Sequence, residues 1–154
     1  MQLEPEWEFV SDQVMGGISD GRVIFKGGIA TLTGSVSLEN NGGFIQMAFD
    51  LSEDGEAEDL SGWTGFAMEV LGNGQSYEMR VRTSQLSRPW QSFKYEFAAK
   101  PEWKSVAIPF ADLKPHRTEA VFDPSKTRRI GILAIGAAFD AEISVTNLRL
   151  YDEP

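Results

Sequence analysis

Residues 65–83 read GFAMEVLGNGQSYEMRVRT, and apolar side chains recur at every second position in both halves of this stretch. Such a period places alternate side chains on one face, as a β-strand with one buried face requires. The Gly72-Asn73-Gly74 sequence between the halves is typical of a turn. We therefore predict strands at Gly65–Leu71 and Ser76–Thr83, whose apolar sides consist of Phe66, Met68, Val70, Tyr77, Met79 and Val81.

The same period continues on both sides of this stretch. Phe44–Leu51 and Gln91–Phe97 alternate in the same way, whereas Arg129–Ala137 is apolar on both faces and is predicted to lie mid-sheet. Turns rich in Gly and Asn separate the segments, so we predict an all-β domain of about nine strands, a β-sandwich or a barrel. The other predicted strands are Gly21–Phe25, Ile29–Leu38, Lys104–Pro109 and Glu142–Tyr151, with short helical turns near Phe110–Leu113 and Pro124–Thr127.

Length and composition are those of one ordinary globular domain. The chain has 154 residues, 42% of them hydrophobic, and it contains no internal repeat, low-complexity tract or linker. A chain of this length can enclose one continuous core. We predict a single domain over residues 1–154 with its core between about residues 7 and 151.

Net charge excludes some partners. The 14 Lys and Arg against 23 Asp and Glu give −9 at pH 7, and nucleic acid would be repelled because its binding depends on cations that neutralise phosphates. No apolar run approaches the roughly 20 residues of a membrane span. The N-terminus, MQLEPEWEFV, lacks the pattern of a secretory signal or a transit peptide. We expect a cytoplasmic domain that does not insert into membranes.

The sequence contains few candidate catalytic residues. His116 is the only His and there is no Cys, so neither a thiolate nucleophile nor a transition-metal site is predicted, and no Ser lies in a strand–turn–helix elbow. The acidic loop Ser52–Asp59 lacks the ligand spacing of a known calcium loop. We therefore predict a protein without cofactor or metal that is not an enzyme.

A polar sheet face follows from the alternation. Arg80 and Arg82 lie two residues apart on one predicted strand, so both guanidinium groups project the same way. Arg suits hydroxyl, carboxylate or carbonyl ligands, and pairing with Glu69 or Glu96 across strands is the structural alternative. The face is predicted to comprise Gln46, Glu69, Glu78, Arg80, Arg82, Lys94 and Glu96.

The chain has four Trp residues, and an exposed one would be a candidate for ligand binding. Trp7, Trp63 and Trp103 adjoin strand starts and are interpreted as core or edge anchors. Trp90 follows Ser87-Arg88-Pro89 in a loop that enters a strand, which makes it the best candidate for exposure. An exposed Trp could stack on a sugar ring or anchor a protein interface, and packing beneath the loop is the alternative.

Two segments carry a family resemblance. SDQVMGGIS (Ser11–Ser19) and GSVSLENNGGF (Gly34–Phe44) resemble the signature blocks of the complex I intermediate-associated protein 30 family. Later segments are similar in the same order, namely GWTGFAMEVLGNGQSYEMRVRT, the strand from Trp90 to Phe97, WKSVAIPFADLKP and RRIGILAIG. The resemblance extends from about Trp7 to Tyr151.

The resemblance implies a galactose-binding-like jelly roll and an accessory role in the assembly of NADH:ubiquinone oxidoreductase, without chemistry of its own. It is closest to the stand-alone bacterial type and implies a protein partner, an assembly intermediate of a membrane complex. A carbohydrate-binding jelly roll that uses the polar sheet face is the alternative. The binding candidates are Glu69, Glu78, Arg80, Arg82, Trp90 and Lys94, together with Arg117 in the loop where the family often has Arg-Gly.

The signature blocks themselves favour architecture over a ligand or interface role. Paired glycines allow positive φ, and Asn side chains in turns hydrogen-bond their own backbone. Asp12 and Ser19 could satisfy loop amides in the same way. The residues given this structural role are Asp12, Met15, Gly16, Gly17, Ser19, Asn40, Asn41, Gly42 and Gly43.

Overall fold

The computed structural model describes residues 1–39 and 42–153, so the predicted turn residues Asn40 and Asn41 lie outside the described residues. Eleven strands form two antiparallel sheets, and short 3-10 helices occupy Asp12–Met15, Phe110–Asp112 and Pro124–Lys126. The strands are β1 (Glu8–Ser11), β2 (Asp20–Lys26), β3 (Ile29–Val36), β4 (Phe44–Asp50), β5 (Gly65–Leu71), β6 (Ser76–Thr83), β7 (Ser92–Ala98), β8 (Lys104–Pro109), β9 (Lys114–His116), β10 (Thr127–Ile135) and β11 (Phe139–Tyr151).

The two sheets face each other in a jelly-roll sandwich. The six-stranded sheet has the order β1-β4-β10-β6-β7-β9, and the five-stranded sheet has the order β2-β3-β11-β5-β8. The all-β prediction is confirmed, and β10 lies inside its sheet as its two apolar faces indicated. All nine predicted strands are present, most of them with ends shifted by a few residues.

Two short strands, β1 and β9, and the 3-10 helix Asp12–Met15 were not predicted. The strands form the two edges of the six-stranded sheet and contain four and three residues. Segments this short cannot display a two-residue period, and Pro115 removes a backbone donor from β9. Proline is tolerated at a sheet edge because the missing donor would face away from the neighbouring strand.

Aromatic rings join the two sheets through the core. Phe66 of β5 contacts Phe110 with ring centroids 5.2 Å apart, Phe110 contacts Phe122 at 5.4 Å, and Phe122 contacts Phe93 of β7 at 5.2 Å. Edge-on contacts of this kind contribute about 1 kcal/mol each beyond the buried area. Other completely buried side chains of the core include Leu32, Ile45, Met47, Met68, Met79, Ile132 and Ile143.

The Gly72-Asn73-Gly74 turn carries the chain from one sheet to the other. The backbone N–H of Gly72 donates to Lys100 O at 2.9 Å, and a Cβ on Gly72 would stand only 2.3 Å from the Cβ of Ala99. The Tyr77 hydroxyl donates to Asn73 Oδ1 at 2.6 Å. Strands β5 and β6 are therefore consecutive in sequence but belong to different sheets, which decides where their polar side chains lie.

Candidate functional site

The first signature segment builds a buried carboxylate. Asp12 follows Ser11 into the first 3-10 helix and is completely buried. Its Oδ1 accepts a hydrogen bond from Ser19 N at 2.9 Å, and its Oδ2 accepts from the Ser19 hydroxyl at 2.5 Å and from Gly43 N at 2.6 Å. Burial raises the pKa of Asp12, but the hydrogen bonds from Ser19, Gly43 and Phe44 outweigh burial and hold the pKa below its usual range.

Glycines close tightly around this carboxylate. A Cβ on Gly17 would stand 2.5 Å from the Asp12 Cγ, and a Cβ on Gly42 would stand 2.4 Å from its Oδ2. Gly16, at φ 86°, ends the helix in a left-handed conformation that favours glycine. Met15 lies in the same loop and is exposed. These contacts join the two signature segments into one architectural unit.

A second group of polar side chains covers the outer face of the six-stranded sheet, and we call it the polar sheet face. Arg80 of β6 is the register partner of Lys94 of β7, and Glu78 is the partner of Glu96. Lys94 in turn lies opposite Lys114 of β9. The outward members are Glu8, Gln46, Asp50, Glu78, Arg80, Arg82, Ser92, Lys94, Glu96, Lys114, His116 and Arg129.

Small side chains form the floor of the polar sheet face. Ala48, Gly131 and Leu133 point outward from β4 and β10, yet Ala48 is only 1% exposed and Leu133 only 5%. A Cβ on Gly131 would stand 2.7 Å from Gln46 Oε1, so the Gln46 side chain lies directly over the backbone there. The centre of the face is therefore covered by longer side chains, and a cleft of about 350 Å³ opens at one end beside Glu78 and Glu96.

Arg80 is held in place within the face. Its Nε donates to Glu78 Oε1 at 2.7 Å and its Nη1 donates to the Ser92 hydroxyl at 3.2 Å. The two charged side chains are only 13% and 15% exposed. Arg80 thus pairs along its own strand, and the alternative pairings with Glu69 or Glu96 are not formed.

Arg82 lies beside another cation. Its register partner across the sheet is Arg129 of β10, whose guanidinium contacts Glu8 at 2.6 Å and Asp50 at 3.0 Å. Arg82 Nη2 donates to the backbone oxygen of Arg88 at 3.1 Å, whereas its buried Nε has no acceptor among the described residues. Burial, and then the charges of the neighbouring Arg128 and Arg129, lower the pKa of Arg82.

Trp90 forms the rim of the polar sheet face at the loop before β7. It is 54% exposed, and the Arg88 guanidinium lies 5.9 Å from the centroid of its ring. Gln91 Nε2 donates to Arg117 O at 3.2 Å, which joins this loop to the residue after β9. Arg117 has φ 56°, an uncommon value for a residue other than glycine. The loop that carries Arg88 and Trp90 is therefore joined to the backbone of Arg117 at one end of the face.

The comparison with known families completes these observations. Residues 2–145, which include both signature segments and the whole polar sheet face, match the family described as Complex I intermediate-associated protein 30 (CIA30). The chain belongs to the CIA30 family. No curated protein sequence matches this chain.

Solved structures similar to this CIA30-family chain include carbohydrate-binding modules. The family 11 module of the cellulosomal cellulase Lic26A-Cel5E of Clostridium thermocellum aligns with a TM-score of 0.80 and 12% identity over 99% of this chain and 94% of the module. The Clostridium thermocellum family 11 module in complex with a β-1,3-1,4-mixed-linked tetrasaccharide aligns at 0.76 and 13% over 98% and 94%. The family 30 module of cellulase Cel9D-Cel44B of the same organism aligns at 0.67 and 16% over 99% and 95%. Identities this low show a shared fold.

The prediction that Glu69 shares a face with Glu78 and Arg80 was wrong. It lies on β5 in the five-stranded sheet, not on the face with Glu78 and Arg80. There its carboxylate accepts from Asn147 Nδ2 at 2.8 Å and from Arg149 Nη1 at 2.7 Å, and these hydrogen bonds lower its pKa. Alternation tells which side of its own sheet a residue faces, but it does not tell to which sheet the strand belongs.

Other members of the face were not predicted from the sequence. Arg129 was predicted as the first residue of an apolar strand and was not assigned to the polar sheet face. Lys114 lies in the short edge strand β9, which was not predicted. Ser92 was placed on the polar side of its strand without a role, although it is the second acceptor of Arg80. Register between strands would have been needed to find them, and one sequence does not supply register.

The pKa of His116 reflects the charges that surround it on the polar sheet face. It lies opposite Ser92 on β9 and is partly buried. Burial lowers its pKa, and the positive charges of Arg80, Lys94 and Arg117 lower it further, whereas Glu78 opposes them. The basic groups therefore dominate the potential at the position of His116.

The described ranges 1–39 and 42–153 offer little for a metal site or a membrane span. Across these ranges, no group of three or more His, Asp or Glu side chains is arranged to hold a metal ion. None of the helices in the same ranges is both long enough and apolar enough to cross a bilayer. The larger cleft, about 620 Å³, lies between the N-terminal segment and residues 145–148 and contains none of the candidate binding residues.

Proposed function

We propose that this domain is a non-catalytic binding domain that holds a partner protein on its polar sheet face, in the manner of an assembly factor. The observation that carries the proposal is a face with five Lys and Arg side chains against four carboxylates, on a chain of net charge −9. In an acidic chain, basic side chains on one face are explained by a binding role, because charge complementarity selects partners and speeds their encounter.

The surroundings of His116 support the absence of catalysis. His116 lies opposite Ser92, and among the described residues no carboxylate is hydrogen-bonded to it in the way expected of a general base oriented by an acidic partner. Its basic neighbours also disfavour the protonated form that an acid catalyst would need. The family description, which refers to association with a complex I intermediate, is in keeping with a protein partner.

The chemistry of the face favours an acidic segment of the partner. Arg80, Lys94 and Arg117 lie together on one side of the sandwich, and Trp90 stands exposed at the rim. Arg and Trp are the side chains most often found where interface energy is concentrated. An extended segment that carries carboxylates beside one apolar side chain would satisfy both features.

A glycan is the second candidate. The sandwich is similar to a family 11 module solved with a tetrasaccharide, and Trp90 offers one exposed ring. However, Phe93, Tyr95 and Phe97 of β7 all lie on the core-facing side of their strand, so β7 presents no ring on which a sugar could stack. We therefore place the protein partner first.

Copurification tests the proposal. The tagged chain, expressed in its own host, should enrich subunits or assembly factors of a respiratory membrane complex from a mildly solubilised membrane fraction. Lys94→Glu with Arg117→Glu should abolish the enrichment. The matched control, Arg22→Glu with Lys26→Glu, reverses two exposed cations of β2 on the other sheet and should retain it.

Two results would contradict the proposal. Equal enrichment by both double variants would mean that the polar sheet face is not the docking surface. Micromolar affinity for a neutral oligosaccharide, lost in Trp90→Ala, would replace the protein partner with a glycan.

A further inference from the structure

Arg82 is a partly buried cation whose charge the protein leaves unbalanced. No carboxylate of the described residues lies within 4.0 Å of its guanidinium, whereas Arg80 and Arg149 each have one and Arg129 has two. Its single recorded side-chain hydrogen bond runs from Nη2 to the neutral backbone oxygen of Arg88. In a chain with 23 acidic residues, this arrangement is unexpected for a side chain with a purely structural role.

The surroundings make the imbalance larger. Arg129 stands directly opposite Arg82 in the sheet register, and like charges in that position destabilise a sheet. Arg128 adds a third positive charge nearby. Arg82 Nε is enclosed and has no acceptor among the described residues, and burying such a donor is costly. Glu8 and Asp50 offset the charge of Arg129, and Asp50 partly offsets that of Arg82, but no carboxylate contacts Arg82 itself.

The accessible part of Arg82 faces the rim. Because its Nε is enclosed, a ligand can reach only the terminal nitrogens, one of which is fixed by the bond to Arg88 O. The Arg88 side chain lies against the exposed ring of Trp90. A group bound at Arg82 would thus lie beside a second guanidinium and an aromatic surface.

We propose that Arg82 anchors a carboxylate-binding site, and that its ligand is an Asp or Glu side chain in an acidic, extended segment of a partner protein. The planar guanidinium fork matches a carboxylate and forms charge-assisted hydrogen bonds with it. A carboxylate there also supplies the negative charge that Arg82 lacks, whereas Arg129 already contacts Glu8 and Asp50. The Trp90 ring then packs against an apolar side chain next to the acidic residue. The inference rests on the proposed function, because it takes the polar sheet face to be the docking surface.

Thermal unfolding gives a test that needs no partner. Arg82→Gln removes a buried, uncompensated charge and its repulsion with Arg129, so we expect the Tm of the free protein to rise by about 3 °C. The matched control is Arg149→Gln on the other sheet, which breaks the pair with Glu69 and should lower the Tm. A fall in Tm for Arg82→Gln comparable to that of Arg149→Gln would overturn the inference, because Arg82 would then be a structural cation.

Binding is measured with a defined probe. An acetylated and amidated hexapeptide of alternating Glu and Leu should perturb the amide signals of Arg88 and Trp90 and the Trp90 indole signal in NMR titrations. Its Gln–Leu counterpart, and the acidic peptide with Arg82→Gln, should bind at least tenfold more weakly. Unchanged affinity in Arg82→Gln would overturn the site. Binding of inorganic phosphate or of a galacturonate oligomer in preference to the peptide would overturn its assignment to a protein carboxylate.

The two proposals fail in different ways. If Arg82→Gln still copurifies the partner while Lys94→Glu with Arg117→Glu does not, the carboxylate site is wrong and the docking face stands. If neither variant affects copurification, the docking face itself is wrong.

Discussion

The Oδ2 atom of Asp12 accepts a hydrogen bond from the backbone N–H of Gly43 at 2.6 Å, which joins two loops 31 residues apart in the chain. Ser19 adds two further donors to the same carboxylate, and its hydroxyl also accepts from Ser37 N at 2.8 Å. The two signature segments thus share one buried anion. The buried carboxylate explains the residue types of both segments. Its oxygens need N–H and hydroxyl donors close by, and the residues packed against it, Gly17 and Gly42, have no room for a side chain.

Replacing this anion should destabilise the fold. Asp12→Asn keeps the size of the side chain but brings an amide donor towards Ser19 or Gly43, so we expect a loss of about 3 kcal/mol in the free energy of unfolding. Chemical denaturation measures this loss. Asp20→Asn is the matched control, because Asp20 is exposed and accepts from its neighbour Gly21. Similar small effects of both variants would show that the carboxylate does not hold the loops together.

The glycines around Asp12 give a second prediction. Gly17→Ala and Gly42→Ala each place a methyl group less than 3 Å from the carboxylate, so each should lower the Tm by several degrees. Gly62→Ala, at a turn where a Cβ would meet nothing within 4 Å, should leave the Tm nearly unchanged. Equal effects at Gly17 and Gly62 would argue against close packing as the reason for glycine.

The strands were largely predictable, because each has to bury one face and its sequence therefore alternates. Met68 and Met79 were placed correctly in the core for this reason. Glu69 was misplaced for a reason just as physical, since the Gly72–Gly74 turn could equally have closed a hairpin or led into another sheet. Only tertiary packing, such as the contact of Gly72 with Ala99, decides between the two.

The candidate site was predictable in part. Arg80, Arg82 and Lys94 were grouped correctly because they lie on two strands that are neighbours in the sheet. Arg129 comes from a strand that is distant in sequence, and its position opposite Arg82 depends on register. The charge imbalance at Arg82 could therefore not be inferred without the structure.

The lowered pKa of His116 predicts how stability depends on pH. The folded protein binds the His116 proton less readily than the unfolded chain, whose His has its ordinary pKa of about 6.5. The stability contribution is thus complete above pH 6.5 and declines as the pH falls below it, because protons then favour the unfolded state. Thermal unfolding from pH 7.5 to 5 should show a decline that is smaller in His116→Gln. An NMR titration midpoint at or above 6.5 would contradict the prediction.

Binding should reverse that shift. The acidic hexapeptide places negative charge near Arg80, Lys94 and Arg117, the groups that depress the His116 pKa. We expect the NMR midpoint of His116 to rise when the peptide is bound and to stay in place with the Gln–Leu peptide. A midpoint that does not move with a saturating amount of bound acidic peptide would place the peptide elsewhere on the molecule.

Trp90 should matter for binding and not for folding. Its ring is 54% exposed and contacts a cation of the same loop, so Trp90→Ala should change the Tm by no more than about 1 °C. The same variant should weaken binding of the acidic hexapeptide roughly tenfold, because an exposed Trp at a rim acts as an apolar anchor. Trp103→Ala is the matched control, since Trp103 is 43% exposed but precedes β8 on the other sheet, and its affinity for the peptide should be unchanged. A large fall in Tm for Trp90→Ala would mean that the ring packs structurally, and equal losses of affinity in both variants would mean that the peptide does not bind at the polar sheet face.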